Sequence, residues 1–290
     1  MKSFLFVLLT IFIFSCKRES KQFDVLKDQS IYQLIAFDEG AEKPLEGNFM
    51  ATFVTIADTL GDTIHYVPSY HYFIEFYKES PIYDLLSVLS VGDSAHFIVS
   101  EDQVFNAFGF DNLDGGSNRK VVLRIRLDYV VSAENVQDTL MAELSTRLSN
   151  EPQLILSYIE KQEEPQSYNE ELGLYKKSLI MNLEGDPIQL GDQVTLSYSG
   201  QFFNGYKFDQ KEGANSLEIK YGMNDQVLPG LSIAIKGMRA GESVKIILPS
   251  HHAFGSRGSI KGIVPPYTPV VYNLSIKNVT RKNNNEKKRN

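Results

Sequence analysis

The chain has 290 residues, 42% of them hydrophobic, enough for buried cores and, by length, for about two domains. Its net charge of -7 excludes a nucleic-acid binder, which needs a basic face to displace phosphate counterions. Cys16 is the only cysteine, so an internal disulfide is excluded as well.

At the amino terminus Lys2 supplies a positive charge, residues 3–14 form an apolar run, and Ser15-Cys16 closes it, the order of a secretory signal. The run is shorter than the about 20 apolar residues of a transmembrane helix, and Lys17, Arg18 and Glu19 end it abruptly, so cleavage is expected. The stretch Phe12-Ile13-Phe14-Ser15-Cys16 resembles a relaxed bacterial lipobox, in which the cysteine receives a diacylglycerol thioether and becomes the first mature residue. Two or more acyl chains would hold the protein on a membrane. The alternative is a plain signal peptide with an incidental cysteine. Residues 1–16 are thus expected to be a lipoprotein signal. The protein is expected in the cell envelope, anchored through Cys16 and facing the periplasm.

The remaining chain contains one internal repeat. Residues 17–132 include Ser90-Val91-Gly92-Asp93-Ser94, then Ala107-Phe108-Gly109, then alternating apolar residues over 121–131. Residues 171–280 return to that plan with Arg239-Ala240-Gly241-Glu242-Ser243, Ala253-Phe254-Gly255 and the apolar run 270–279. Apolar residues at period two predict strands, and short helices are predicted near 83–89 and 230–236. Self-similarity over a domain length predicts a duplication. Antiparallel strands with one helix on a face give two α+β domains. Between them, residues 133–170 carry Val136, Leu140, Leu144 and Leu148 near helical spacing, which predicts a helical linker interrupted near Pro152 and polar from 162 onward. Residues 281–290 form a polar tail expected to be disordered.

On pattern alone, aromatic and aliphatic residues in these strands read as core, and Asp209 as a turn or surface carboxylate. His251-His252 is no metal pair, because adjacent strand residues face opposite ways and no Cys or acidic partner is spaced to complete a site.

Five motifs within about 191–279 change that reading. They are Tyr198-Ser199-Gly200 at a strand end, the hairpin signal Asn204-Gly205 followed by Phe208-Asp209, Val227-Leu228-Pro229-Gly230-Leu231, Ala253-Phe254-Gly255, and Gly262-Ile263-Val264-Pro265-Pro266. In this order they resemble a peptidyl-prolyl cis/trans isomerase domain of the FKBP type. The resemblance implies an apolar cup lined by Tyr198, Phe208, Leu217, Val227, Leu228, Leu231, Phe254, Ile263 and Tyr272. Asp209 would stand at its wall, Tyr198 would offer a hydroxyl, and a backbone N–H near Leu228 would donate to a substrate carbonyl. Catalysis by Tyr198, Phe208, Asp209 and Phe254, with the others binding substrate, would need no cofactor and no metal. The partners it implies are proline-containing polypeptide clients, and residues 165–280 alone are expected to carry most of the activity.

Two residues depart from the family pattern. The chain has no Trp, so Leu231 replaces the family's indole at the cup floor, and Phe254 replaces a tyrosine whose hydroxyl hydrogen-bonds ligand. The first domain lacks the Tyr-x-Gly strand, the Phe-Asp pair and the Ile-Val-Pro-Pro loop, and reads as a degenerate copy. Two functions follow: a folding isomerase for exported proteins, or a non-catalytic binding module or chaperone in an envelope complex.

Overall fold

Strands β1 (Asp24–Val25), β2 (Ile31–Ala36), β3 (Phe49–Asp58), β4 (Thr63–Tyr66), β5 (Tyr72–Glu75), β6 (Ser94–Ser100) and β7 (Lys120–Val131) form the first sheet, with helices α1 (Tyr83–Ser87) and α2 (Glu101–Phe108) among them. In the computed structural model the described residues are 24–26, 30–36, 41–67, 69–108, 119–162, 167–169, 171–260 and 262–281. Cys16, most of the polar tail and most of the loop after Phe108 lie outside them. Alternation does the folding: Ala95, Phe97 and Val99 of β6 are buried while their neighbours are not, and Val121, Leu123, Ile125 and Leu127 of β7 follow suit. Against this face α1 lays Leu85 and Leu86.

The second sheet contains β8 (Ser167–Asn169), β9 (Leu174–Ile180), β10 (Gln193–Gln201), β11 (Lys207–Lys211), β12 (Leu217–Lys220), β13 (Ser243–Leu248) and β14 (Val270–Thr280). Its order is β8-β9-β13-β14-β10-β11 with β12 on β10, strand for strand the order β1-β2-β6-β7-β3-β4 with β5 on β3. Every pairing is antiparallel. Helix α4 (Pro229–Ala234) takes the place of α1. The likeness reaches single hydrogen bonds. Gly92 N–H donates to Leu127 O and Gly241 N–H to Ile276 O, both at 2.8 Å, and each glycine has positive φ. In each turn a carboxylate accepts from the amide three residues back, Asp93 from Ser90 and Glu242 from Arg239, both at 2.8 Å. The chain is thus two antiparallel α+β domains of one design.

A long helix, α3 (Val136–Glu160), joins them and runs unbroken through Pro152, where an interruption was expected. Proline removes one ladder bond and clashes with the turn before it, but packing holds the helix together. Ile155 is buried with Ile247 and Val271 on the sheet face opposite α4, and the Tyr158 ring stacks on Phe203 at 4.2 Å. Two further expectations are corrected. The polar segment after 162 contains β8, which pairs with β9. Arg281 is docked, not part of a free tail, because its guanidinium bonds the buried Asp192 carboxylate at 3.0 and 3.1 Å. No helix among the described residues is long and apolar enough to cross a membrane.

Candidate active site

The hairpin of β10 and β11 organises the candidate residues. Gly205, at φ 88°, closes the Asn-Gly turn, with its N–H donating to Phe202 O at 2.9 Å. Gly200 then pairs with Asp209, which puts Tyr198 on the diagonal from Asp209 and on the same face. The Tyr198 hydroxyl donates to Asp209 Oδ2 at 2.9 Å. Tyr198 is buried, whereas Asp209 is exposed and stands in the middle of β11. Burial first, and then the Asp209 carboxylate, push the Tyr198 pKa up, so this hydroxyl stays a donor. Tyr272 is raised likewise, chiefly by burial.

Gly200 is required by the rings above it. A Cβ there would lie 2.7 Å from Tyr272 Cε1 and 2.9 Å from Phe208 Cε2, so only glycine lets both rings settle over the strand. The aromatic cluster then assembles edge to face. Phe208 lies 5.9 Å from both Phe254 and Tyr272, and Tyr198 lies 5.7 Å from Tyr272. Leu231 of α4 is buried in the same core, and Leu217, Val227, Leu228, Phe208 and Phe254 are half-buried against it. Leu228 caps α4 ahead of Pro229, so its N–H precedes the helix and lies outside the helix ladder. Ile263 is half-buried and stands apart from this cluster, while its neighbour Val264 is buried in it. Eight of the nine cup residues, together with Asp209, are therefore grouped, and Ile263 is the ninth.

Sequence reasoning missed Val264 and also Phe202, a buried ring 4.9 Å from Phe208. The signal for Phe202 was its place immediately before the hairpin turn, where a large apolar residue packs back under the strands. His251 and His252 lie in a 3-10 turn, not a strand, with rings 4.3 Å apart. Among the described residues no group of three or more His, Cys, Asp and Glu is placed to hold a metal ion.

Strand register identifies the corresponding positions of the first domain. Val54 stands where Tyr198 does, His65 where Asp209 does, Ile64 where Phe208 does, and Leu123 where Tyr272 does. There Tyr72 occupies the position of Leu217, and its hydroxyl shares a hydrogen bond of 2.9 Å with His65 Nε2. The Tyr–Asp pair thus belongs to the second domain alone. A cleft of about 590 Å³ lies beside the cluster, between α3 and the segments around Phe203 and Thr268.

Residues 185–277 match the family described as FKBP-type peptidyl-prolyl cis-trans isomerase. The FK506-binding protein 1 of Debaryomyces hansenii is 32% identical over 90 residues, 31% of this chain and 79% of that protein. The FK506-binding protein of Neisseria meningitidis is 31% identical over 87 residues, 30% of this chain and 78% of its own. Among solved structures, FkpA from Escherichia coli is similar at 21% identity and a TM-score of 0.43, over 51% of this chain and 67% of that one.

Proposed function

The chain belongs to the FKBP-type peptidyl-prolyl cis-trans isomerase family through residues 185–277, and from that membership we propose that its second domain catalyses rotation about Xaa-Pro bonds in polypeptide clients. The observation that carries this is the Tyr198–Asp209 hydrogen bond at the edge of the Phe208, Phe254 and Tyr272 cluster. Rotation breaks amide conjugation against a barrier of about 18–20 kcal/mol but changes no covalent bond. A catalyst need only hold the twisted amide better than the planar one. The half-buried rings take the proline ring out of water, since it is apolar and has no N–H to desolvate. The Asp209 carboxylate, fixed in place by Tyr198, supplies an oriented dipole beside the twisting bond. The N–H of Leu228 is the donor for a substrate carbonyl. No step requires a nucleophile.

A second reading is supported by Leu231 and Phe254, which give the cup a wider, less aromatic floor and leave position 254 without a hydroxyl. On this reading the domain binds proline-containing chains without turnover. A proline-limited refolding assay and a short-peptide isomerisation assay with the full chain decide between them. Acceleration over the uncatalysed rate of tens of seconds is the expected result. A folded protein that binds the peptide and leaves that rate unchanged is a binding module.

The first domain, which carries Val54 and His65 at the key positions, is a degenerate copy that does not catalyse. The apolar run before Cys16 supports export and lipidation, so the clients are exported proteins met in the cell envelope. Cys16→Ser should move the protein out of the membrane fraction with its domains intact; retention in that fraction counts against lipidation.

A further inference from the structure

The two loops that border the cup are both fastened to α3, which lies outside the family-matched segment. Arg147 and Glu151 stand four residues apart and so share one face of that helix. Glu151, buried, accepts from the Ser250 amide and from Ser250 Oγ at 2.7 Å. The Ser250 carbonyl accepts from Ala253 N–H and Gly255 N–H, at 2.9 and 2.8 Å, and so folds the turn that carries Phe254. The Gly255 carbonyl accepts from Tyr267 N–H at 2.9 Å, which ties this turn to the loop after Ile263. Arg147 completes the ring. Its guanidinium donates to Pro266 O at 3.1 Å and to Thr268 Oγ1 at 2.7 Å, and from its remaining side to Ser69 O of the first domain at 2.7 Å.

Backbone strain coincides with these bonds. Ser69 and Tyr267 have φ of 53° and 50°, in the left-handed region that non-glycine residues avoid. Arg147 bonds the carbonyl of the one and brackets the other from both sides. Strained residues persist where the surroundings over-determine them, and a planar fork with donors in fixed directions does that where an ammonium could not.

We infer that Arg147 and Glu151 are positioning residues for the isomerase cup, and that α3 and the first domain are therefore part of the working site. This rests on the isomerase reading above, and it revises the expectation that residues 165–280 suffice: without α3 both loops lose their anchor. The effect falls on substrate binding first, because Arg147 and Glu151 bond the segments that carry Phe254 and follow Ile263, whereas the Tyr198–Asp209 pair stands on β10 and β11.

The test uses the full chain. Arg147→Met keeps side-chain length and removes all three donations. It should raise KM for a short Xaa-Pro peptide about tenfold with kcat little changed, since small misplacements of binding groups cost one to two orders of magnitude. Hydrogen–deuterium exchange should show the Gly255 and Tyr267 amides losing protection. Tyr158→Leu, which loosens α3 from the sheet through the Phe203 stack, should lower Tm yet leave KM and those amides as they were. Thr268→Val removes a single acceptor and gives a smaller effect in the same direction, should Arg147→Met fail to fold. Unchanged KM and unchanged protection in the Arg147 or Thr268 variant overturn the inference, as does an equal rise in KM in Tyr158→Leu. If the unmodified chain isomerises no peptide, the functional reading fails, and amide protection alone decides whether Arg147 holds these loops.

Discussion

Two residues at corresponding positions of the two domains make opposite predictions about solvent. Asp209 is exposed and its partner Tyr198 is buried, so Asp209→Leu removes the carboxylate while leaving the core. It should cost about 1 kcal/mol of stability, as the Tyr198 hydroxyl loses its acceptor. It should also lower kcat/KM by about ten- to a hundredfold on a proline peptide. Full activity in the folded variant would remove the carboxylate from the mechanism. Phe208→Ala differs, because a half-buried ring is lost from the cup itself; about 2 kcal/mol of stability and most of the activity should go together. His65 holds the Asp209 position in the first domain and is buried, and burial lowers its pKa from the usual 6.5 to about 4. The unfolded chain therefore takes up a proton below about pH 6.5 that the folded chain refuses until about pH 4. Stability from this group is complete above that window and is lost as pH falls through it, by about 3 kcal/mol in all. The drop in Tm between pH 7.5 and 4.5 should be smaller in His65→Gln than in the unmodified protein. Equal drops would show that His65 does not drive it.

At the scale of elements, β10 carries the site because one of its residues has no side chain. Gly200→Ala would drive a methyl into Tyr272 and Phe208. Overpacking of this kind costs about 1–3 kcal/mol, so Tm should fall while the displaced rings reduce kcat/KM; a variant with normal activity would mean the cup tolerates the shift. This also explains what was legible beforehand. Strands, the Asn-Gly hairpin, the short helices and the duplication are written in local periodicity and turn chemistry, and the cup residues in short motifs. What escaped was set by packing between distant segments. Nothing local announces that α3 continues through Pro152, that Arg281 docks on Asp192, or that residues 167–169 pair with β9. Val264 and Ile263 are adjacent and both apolar, and only the folded loop decides which one is buried.

The whole molecule is more than two domains on a string. Domains joined within one chain usually meet through modest interfaces and unfold separately. Here the link is dense. Glu143 of α3 accepts from Tyr129 and bonds His71 Nδ1 of the first domain at 2.8 Å, while Ile155, Tyr158 and Glu151 of the same helix are seated on the second. The domains also touch directly. Tyr206 donates its hydroxyl to Ile64 O at 2.8 Å and stands edge-on to Tyr66. Melting either domain would strip α3 of half its partners, strand the buried Glu151 or leave Arg147 with unmatched donors, and a buried charge left unpaired costs several kcal/mol. That coupling is a sizeable part of the about 5–15 kcal/mol by which a domain is stable at all. Scanning calorimetry of residues 17–290 should therefore give one transition, with equal calorimetric and van't Hoff enthalpies. Arg147→Met combined with Tyr206→Phe should broaden it or divide it in two. Two resolved transitions in the unmodified protein would show that the helix does not bind the domains into one cooperative unit.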